Sequence, residues 1–482
     1  MSTRDPEFMP APAPWPVGSP PRRPRRRRRY VWRTSCGCLV LLLLCCSASF
    51  VVSLFGHQVG SDCAFAQAGD LVLVGAARAD ISPQQPVYLG GYGFGPVRLS
   101  TGVLQPLFVR ALAVRSLDNL PGHTLVFAAL DSQGYFAAYQ SGPYGIADMR
   151  ATLATRLGIP VRNIIIASTH SHAAPDTVGF WGGVPDSYLA RVHDQTISAI
   201  SQAVAALAPA QLRVGTVSIA GYTASFPGWG TDSELRVLQA VSRDGKRTLA
   251  TLVNVSVHPT ALGAGNLKAA PDWPGVTADT LEAQLGGTAI IMIGALGHTW
   301  PGSPDTGAAP EDRTMAYQLY GAFIAQRAVD ALHSARVIDQ PTLCAADHTF
   351  REVDSSAPLL FGLQLLGRSG HERIMRSLQS PYFVPPDVLG VEVETLRIGD
   401  VFFFAAPVEA YPSLLAALRS QVHASAYFFL GLANDQLGYA TQVGEYTGAV
   451  RASPSDEALF IISPSFGDDI VRELVIGAQE IG

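Results

Sequence analysis

Short apolar runs alternate along the chain with longer segments whose apolar residues recur every three or four positions. From Leu71 onward the apolar runs are LVLVGAARADIS, TLVFAAL, IIIAS, TLATLVNVSV, TAIIMIGAL, VFFFAAP and AYFFLGLA. Because these runs are apolar on both faces, they predict strands that are covered on both sides. The helical segments are DMRATLATRLG, SYLARVHDQTISAISQAVAAL and TMAYQLYGAFIAQRAVDALHS. The alternation predicts an α/β fold, with mixed sheets and flanking helices in a single large catalytic domain.

Two segments depart from this alternation. Residues Pro341–Pro386 have no clear period, and we expect an irregular excursion there. GGYGFG (Gly90–Gly95) is rich in glycine but has no Lys-Thr pair or helix start attached, so we interpret it as a flexible loop. The sequence also lacks a G-x-S-x-G elbow, a P-loop, an H-E-x-x-H motif and a dinucleotide fingerprint, which removes the common alternatives for its chemistry.

The N-terminus has the composition of a targeting segment. A basic arm, Pro21–Tyr30, precedes an apolar run, Cys36–Phe55, which is long enough to span a bilayer. Ala64–Ala66 nevertheless forms an A-x-A cleavage site. Both interpretations export the body, because the arginines stay on the cytoplasmic side. We expect a basic cytoplasmic arm over residues 1–35, a signal peptide or membrane anchor with a spacer over 36–66, and a body over 67–482 that is secreted or anchored outside, with membrane contact through the N-terminal segment.

Charge and cysteine content narrow the function. Charged residues make up 15% of the 482 residues, the net charge is −5, and nine arginines in the first 66 residues leave the body acidic. An acidic body argues against nucleic acid as a partner. Four of the six cysteines lie in the apolar run, so only Cys63 and Cys344 remain. We therefore expect neither a disulfide framework nor a cysteine-based zinc site.

Candidate metal ligands follow four of the predicted strands. They are His170 and His172 after IIIAST, His258 after TLVNVSV, Glu409 after VFFFAAPV, and Tyr439, with Asp435, after AYFFLGLA. In an extended segment, residues two apart point to the same face, so both imidazoles of the H-x-H could approach one ion. Each residue also has an ordinary structural interpretation as a solvated, turn or core residue. Taken together, they predict a metal site at the strand ends with nitrogen and oxygen ligands, as zinc prefers.

The order of these motifs resembles the N-terminal catalytic domain of the neutral/alkaline non-lysosomal ceramidases, and more closely their shorter bacterial relatives. The motifs that carry the resemblance are GAARADIS, LGGYG, VRALAV, FAALDSQG, IIIASTHSHAAPD, VSVHPTAL, APDWPG, FFAAPVEAYP and ANDQLGYATQVGEY. They extend from about Leu73 to the end of the sequence. Full-length members carry a further immunoglobulin-like domain, which this sequence does not reach.

The resemblance implies a Zn²⁺ site and a lipid substrate. Carried over residue by residue, the family's ligands fall on His172, His258, Glu409 and Tyr439, with His170 beside them in the pocket. The resemblance thereby implies hydrolysis of the amide bond of ceramide or a related N-acyl lipid by a zinc-activated water. His170 would relay a proton to the leaving amine. Asp131 and Asp176 would either orient imidazoles or form turns at strand ends.

One motif departs from the family pattern. The family has a Gly-x-x-Ser-Pro segment whose serine has been proposed as the nucleophile, whereas this sequence has GALGHTWPGSP. Alignment on the glycines and Pro301 places Trp300 at the serine position, and Thr299, one residue away, completes the predicted catalytic set of His170, Asp131 and Thr299. Because an indole cannot attack a carbonyl, an alternative hypothesis is a non-catalytic, zinc-stabilised lipid-binding surface protein whose pocket Trp300 fills. A further alternative is an exported α/β domain whose histidines have no chemical role.

Overall fold

A computed structural model of the chain describes residues 58–63, 69–93, 95–139, 141–226, 229–302, 313–353, 388–446, 457 and 460–482. These residues all fall within one unit, Leu54–Gly482. The strands are β1 (Gln58–Cys63), β2 (Leu71–Asp80), β3 (Phe108–Arg115), β4 (Thr124–Leu130), β5 (Ile164–Ser168), β6 (Ala208–Ser218), β7 (Thr223–Ala224), β8 (Glu234–Ser242), β9 (Thr248–Val255), β10 (Thr288–Ile293), β11 (Trp300–Pro301), β12 (Arg336–Val337), β13 (Leu343–Val353), β14 (Val388–Ile398), β15 (Val401–Ala405), β16 (Glu409–Ala410), β17 (Ala426–Leu430) and β18 (Tyr439–Ala440). The α-helices are α1 (Ile146–Leu157), α2 (Asp186–Ala205), α3 (Trp273–Leu285), α4 (Arg313–His333), α5 (Pro412–Gln421), the single turn α6 (Val443–Glu445) and α7 (Phe466–Ile481).

Two mixed sheets form the centre of the fold. The larger sheet has the order β10-β9-β8-β6-β2-β3-β4-β5, with β12 beside β6. Its pairs β9–β10 and β4–β5 are parallel, and the pairs between them are antiparallel. The smaller sheet has the order β1-β13-β14-β15-β17, and its β15–β17 pair is parallel. Each parallel pair needs a crossover, and α1, α3 and α5 provide these three connections.

The sheets pack face to face, and helices cover their outer faces. Along β4, Phe127 belongs to the core cluster between the two sheets, whereas its neighbour Val126 belongs to the cluster with α1 and α2. The rings of Phe127 and Phe403 meet across the sheets with centroids 5.0 Å apart, a contact worth about 0.5–1.5 kcal/mol beyond its buried area. The helices α3 and α4 cover the rest of the large sheet, and α5 and α7 cover the small one. The result is a four-layer α/β/β/α arrangement.

One turn joins the two sheets at the ends of their strands. Residues 431–434, which follow β17, make backbone hydrogen bonds to β10 through Ile293 and to β5 through Ile166 and Ser168. The side chain of Asn434 accepts a hydrogen bond from the amide of Ile166 at 3.0 Å and donates one to Glu394 of β14 at 2.5 Å. This turn therefore fixes the carboxyl end of β5 against the smaller sheet.

The structure confirms the predicted fold class, the seven strands and the three helices. It also shows elements that the apolar pattern did not identify, chiefly β3, β6, β8, β14, α3, α5 and α7. The prediction of an irregular excursion over Pro341–Pro386 is wrong at its start, where residues 343–353 form β13. The alternation of apolar and polar residues typical of a strand is not apparent there, because the polar His348 is buried, where it forms an ion pair with Glu473 of α7. Residues 354–387 lie outside the described part of the chain.

The strand β1 precedes the boundary predicted at residue 67, yet it is part of the smaller sheet. It pairs with β13 along its whole length, from Gln58 to Cys63. Cys63 and Cys344 are joined by a disulfide that spans 281 residues of sequence. Two isolated cysteines therefore form a crosslink that the sequence analysis did not anticipate. Among the described residues no helix is long and apolar enough to cross a bilayer; the apolar run Cys36–Phe55 lies outside them.

Candidate metal centre

The candidate ligands come from the ends of strands in both sheets. The parallel pairs β4–β5, β9–β10 and β15–β17 each have their carboxyl ends on one edge, where loops begin. His170 and His172 follow β5, and His258 follows β9. Glu409 and Tyr439 face each other as register partners in the short parallel pair β16–β18. The turn 431–434 holds the two sheets together next to this edge. All five predicted ligands and neighbours therefore meet at one place.

Three imidazoles form the centre of the cluster. A ring nitrogen of each of His170, His172 and His258 lies within 4.8 Å of the others. The Nε2 atoms of His170 and His172 are 3.2 Å apart. The Nε2 atoms of His170 and His258 lie 3.1 and 3.2 Å from the same Glu409 oxygen, Oε2. Four donor atoms thus surround one small volume, with Tyr439 Oη 3.4 Å from His258 Nε2.

Backbone carbonyls determine the orientation of two of the rings. His170 Nδ1 lies 2.6 Å from the carbonyl oxygen of Gln133, and His258 Nδ1 lies 2.9 Å from that of Thr299. A carbonyl only accepts, so each Nδ1 donates, and the neutral ring leaves a lone pair on Nε2. His172 differs, because its Nδ1 is buried without a hydrogen-bond partner in the described structure. Metal-binding histidines almost always donate their second ring N–H in this way, which favours His170 and His258 as ligands.

This donor set fits a cation. With both Nδ1 atoms donating, two Nε2 lone pairs face a carboxylate oxygen, and no proton remains to share among them unless the buried rings are charged. A metal ion would satisfy all three atoms at once. Nitrogen and oxygen donors without thiolates suit zinc and related divalent ions. His170 also has a left-handed backbone, with φ of 62°, a conformation that costs energy and is concentrated at functional sites.

The charges of the cluster shift its pKa values. Burial alone would raise the pKa of Glu409, but the positive charge that His170 and His258 carry when protonated, and their hydrogen bonds, hold it well below its usual range. Burial lowers the pKa of His172, and positive charge on the nearby His170 and His258 lowers it further. Burial raises the pKa of Tyr439 well above its usual value, and the Glu409 carboxylate adds to this effect. The site therefore has an ionised carboxylate beside a neutral, partly exposed imidazole, which is His172.

Residues outside the predicted set support the cluster. Gln436 Nε2 donates to Glu409 Oε1 at 3.1 Å and so orients the carboxylate. The loop at Gly90–Tyr92 lies directly against His172, whose ring meets the edge of Tyr92 with centroids 4.9 Å apart. Arg98 donates to the carbonyls of Gly90 and His172, each at 2.9 Å, and ties the loop to the histidine segment. The interpretation of GGYGFG as a flexible loop missed this contact. Only its presence in the LGGYG motif of the resemblance pointed to the site.

Asp131 was predicted either to orient an imidazole or to form a turn, and among the described residues its hydrogen bonds go to groups other than an imidazole. Its Oδ2 accepts from Arg110 at 3.0 Å and from the amide of Phe108 at 2.8 Å, and Oδ1 lies 3.4 Å from the Thr169 hydroxyl. Burial raises its pKa to about 6, against the opposing effect of Arg110. Asp176 accepts hydrogen bonds from three backbone amides, including those of Gly179 and Gly183, which is the turn-forming alternative. The rings of His170 and His258 are therefore oriented by backbone carbonyls.

Thr299 and Trp300 follow β10, and Trp300 is the first residue of β11. Thr299 contributes its carbonyl, which accepts from the backbone N–H and Nδ1 of His258. Its hydroxyl lies 3.5 Å from the carbonyl of Gly297. The indole of Trp300 packs on Phe226, with ring centroids 5.0 Å apart, and makes no ring contact with the three histidines in the described structure. The hypothesis that Trp300 fills the pocket therefore has no support from its contacts.

Solved structures provide the comparison with known proteins. No protein-family model and no curated protein sequence matches the chain. The fold is that of neutral ceramidase: the crystal structure of the enzyme from Pseudomonas aeruginosa superposes with a TM-score of 0.70 at 17% identity, over 86% of this chain and 75% of that one. A second structure, described as ceramidase complexed with C2, gives a TM-score of 0.67 at 17% identity, over 85% of this chain and 75% of that one. The fold expected from the sequence motifs is confirmed.

Proposed function

We propose that this chain is a metal-dependent hydrolase of the neutral ceramidase family, which cleaves the amide bond of ceramide or a related N-acyl lipid. The observation that carries the proposal is the convergence of His170 Nε2, His258 Nε2 and Glu409 Oε2, two imidazoles and a carboxylate whose facing atoms a single cation between them would satisfy. The fold likeness to a ceramidase complexed with C2 supports a lipid amide as substrate.

We assign the metal to His170, His258 and Glu409, with Tyr439 beside them, and we propose Zn²⁺ from the donor types. When bound, the ion would polarise the substrate carbonyl and make a bound water acidic enough to attack at neutral pH. Gln436 holds the carboxylate, and the carbonyls of Gln133 and Thr299 hold the two rings. This assignment exchanges the predicted roles of the H-x-H pair, because His170, and not His172, has the oriented ring.

His172 is then the residue that exchanges protons. Its ring is partly exposed, its Nε2 faces that of His170 at 3.2 Å, and its Nδ1 is not engaged. A neutral imidazole in this position can take a proton from the attacking water at one nitrogen and deliver it to the leaving amine. General acid–base groups of this kind contribute about 10²–10⁴-fold to rates. In the described part of the chain the Thr299 hydroxyl lies by the Gly297 carbonyl and makes no hydrogen bond to the cluster, and Trp300 has no hydroxyl, so the proposal uses no covalent intermediate.

We also propose that the body functions outside the cytoplasm. The Cys63–Cys344 disulfide is of a kind that persists in oxidising compartments. The arginine-rich arm followed by the apolar run Cys36–Phe55 agrees with export across a membrane. Cleavage after Ala66 would break the chain between Cys63 and the body, so the pairing of β1 and the disulfide favour retention of the run as an anchor.

The test is fatty-acid release from ceramide by the purified full-length chain, with zinc supplied and with a chelator, together with metal analysis of the protein. We expect zinc-dependent release by the wild type. His170→Ala, His258→Ala and Glu409→Gln should lose both metal and activity, whereas His172→Ala should keep metal and lose activity. His193→Ala is the control, because that histidine pairs with Asp194 on the exposed side of α2.

Two results would contradict the proposal. If His170→Ala and Glu409→Gln kept both zinc and activity, the cluster would not be the reaction centre. If the wild type bound zinc and lipid but released no fatty acid from any N-acyl lipid tested, the chain would be the non-catalytic binding protein of the alternative hypothesis.

A further inference from the structure

The segment that follows the glycine-rich loop has an inverted strand pattern. Burial alternates along it, but the buried side chains are the polar Arg98 and Ser100, whereas the apolar Val97 and Leu99 are 68% and 48% exposed. Ser100 Oγ accepts from the amide of Val87 at 2.9 Å, and Arg98 donates to backbone carbonyls, so hydrogen bonds hold both polar side chains on the inward side. The outward direction of Val97 and Leu99 is therefore fixed by their polar neighbours.

A second segment extends this exposed apolar surface. The carbonyl of Leu267 accepts the backbone amide of Thr101 at 2.8 Å, and the carbonyl of Gly102 accepts the amide of Ala269, also at 2.8 Å. Leu267 is 42% exposed and Val103 is 39% exposed. Four large apolar side chains, Val97, Leu99, Val103 and Leu267, thus lie on two hydrogen-bonded segments, which we call the apolar rim. Clusters of exposed apolar residues of this kind mark interaction surfaces more often than scattered single residues do.

The apolar rim adjoins the candidate metal centre. Arg98, between Val97 and Leu99, donates to the carbonyl of His172 at 2.9 Å and to that of Asn266 at 2.9 Å. A single buried side chain therefore connects both segments of the rim to the histidine that we assign to proton exchange.

Charge distinguishes the apolar rim from the rest of the body. Neither residues 90–105 nor residues 259–271 contain an aspartate or glutamate, although acids outnumber bases in the chain. The charged side chain that these segments expose is Lys268, next to Leu267. An apolar surface flanked by a cation and free of acids complements a lipid surface, where apolar groups enter the acyl region and lysines reach the headgroups.

We propose that the apolar rim docks on a lipid bilayer and so brings the adjoining candidate metal centre to the membrane surface. For the substrate, the inference rests on the proposed function: a two-chain N-acyl lipid would pass from the bilayer to His172 without crossing water. The docking itself needs only the geometry and charge of the rim, so its test is independent of turnover.

The first experiment measures immersion of the rim. Full-length Leu99→Trp and Leu120→Trp proteins are added to phosphatidylcholine vesicles with and without brominated acyl chains, and the wild-type emission is subtracted. Leu120, which is 52% exposed, precedes β4 and so lies at the opposite edge of the large sheet from the histidines. We expect bromine-dependent loss of emission for Leu99→Trp and none for Leu120→Trp. Equal quenching of both tryptophans, or quenching of neither, would overturn the proposal.

The second experiment removes the apolar surface. A Val97→Ser/Leu99→Ser double variant is compared with Val161→Ser/Leu120→Ser, a type-matched pair from the opposite edge. We expect the first pair to reduce kcat/KM on long-chain ceramide in vesicles by about tenfold, equivalent to about 1.4 kcal/mol, with activity on a soluble short-chain amide unchanged. Equal losses of kcat/KM on vesicles for the two pairs would overturn docking at the rim. A shift from dimer to monomer in Val97→Ser/Leu99→Ser, without loss of activity on vesicles, would also overturn it, because a second copy would then be the occupant of the rim. If the wild type did not hydrolyse the soluble short-chain amide at all, the proposed function, and not the docking, would be contradicted.

Discussion

Adding a methyl group at Gly91 tests whether the glycine-rich loop positions His172. A Cβ at Gly91 would lie 2.6 Å from His172 Nδ1 and 2.7 Å from its Cβ, and closer still to its Cγ. The backbone there has φ of +98°, a conformation that side chains rarely adopt. Gly91→Ala therefore adds both a backbone cost and a collision with one ring.

Both effects have a magnitude. Carbon atoms normally approach to about 3.5–4.0 Å, so the His172 ring must move by about 1 Å to accept the methyl group. A displacement of about 1 Å in an active site costs about 100-fold in rate. The backbone cost of a left-handed residue with a Cβ is about 1–2 kcal/mol. We expect Gly91→Ala to remain folded and to lose about 100-fold in amide hydrolysis.

Gly93→Ala is the matched control. Gly93 lies in the same loop with φ of +66°, and nothing lies within 4 Å of the position that its Cβ would occupy. This variant therefore carries the backbone cost without the collision. Thermal unfolding, zinc content and fatty-acid release from a soluble short-chain amide are measured for both variants. Equal activities of Gly91→Ala and Gly93→Ala, at similar stability, would refute the assignment of a positioning role to this loop.

Three further predictions concern stability. Burial lowers the pKa of His348, but its two glutamate partners outweigh burial and raise it above 6.5. The ion pair therefore contributes its full stability below pH 6.5 and loses it as the pH rises through the folded pKa. In chemical denaturation, the free energy of unfolding of His348→Gln should fall less over that pH range than that of the wild type. Cys63→Ser should lower the free energy of unfolding by about 2–5 kcal/mol, and unchanged stability would mean that the disulfide does not form. Arg150→Met should cost about 3–5 kcal/mol, because it leaves the fully buried Glu394 without its cation at 2.6 Å; a loss below about 1 kcal/mol, typical of a surface ion pair, would contradict this.

The fold was predictable from sequence where a strand is buried on both faces, because such a strand is a continuous apolar run. In IIIAS, every residue is buried, because Ile165 faces the smaller sheet and Ile164 and Ile166 face the helices. Strands that carry buried charged residues have no continuous apolar run and were not predicted. In β13, the side chains of His348 and Glu352 are buried against partners far along the chain, Glu473 and Ser463. The sequence alone does not distinguish a polar residue that has such a distant partner from one that is exposed to solvent. The disulfide between Cys63 and Cys344 could not be predicted for the same reason, because it depends on the pairing register of β1 and β13, which no local sequence pattern contains.

The candidate site was predictable as a set of residues but not as a set of roles. Strand ends identified His170, His258 and Glu409 because titratable residues after apolar runs are unusual. Which imidazole is oriented depends on backbone carbonyls, such as that of Gln133, whose positions follow from tertiary structure alone. The same limit explains Asp131, a conspicuous acid after β4 whose partner proved to be Arg110.

The motif ANDQLGY explains why this cluster requires both sheets to be in place. Asn434 ties β5, which leads to His170, to Glu394 in the smaller sheet. Two residues later Gln436 orients Glu409, and Tyr439 then pairs with Glu409 in register. One short segment thus connects the histidine side of the site to its carboxylate side and also contributes a side chain to it. A displacement of the sheets would separate the two imidazoles from Glu409, so cation binding at this cluster would depend on the packing of the two sheets.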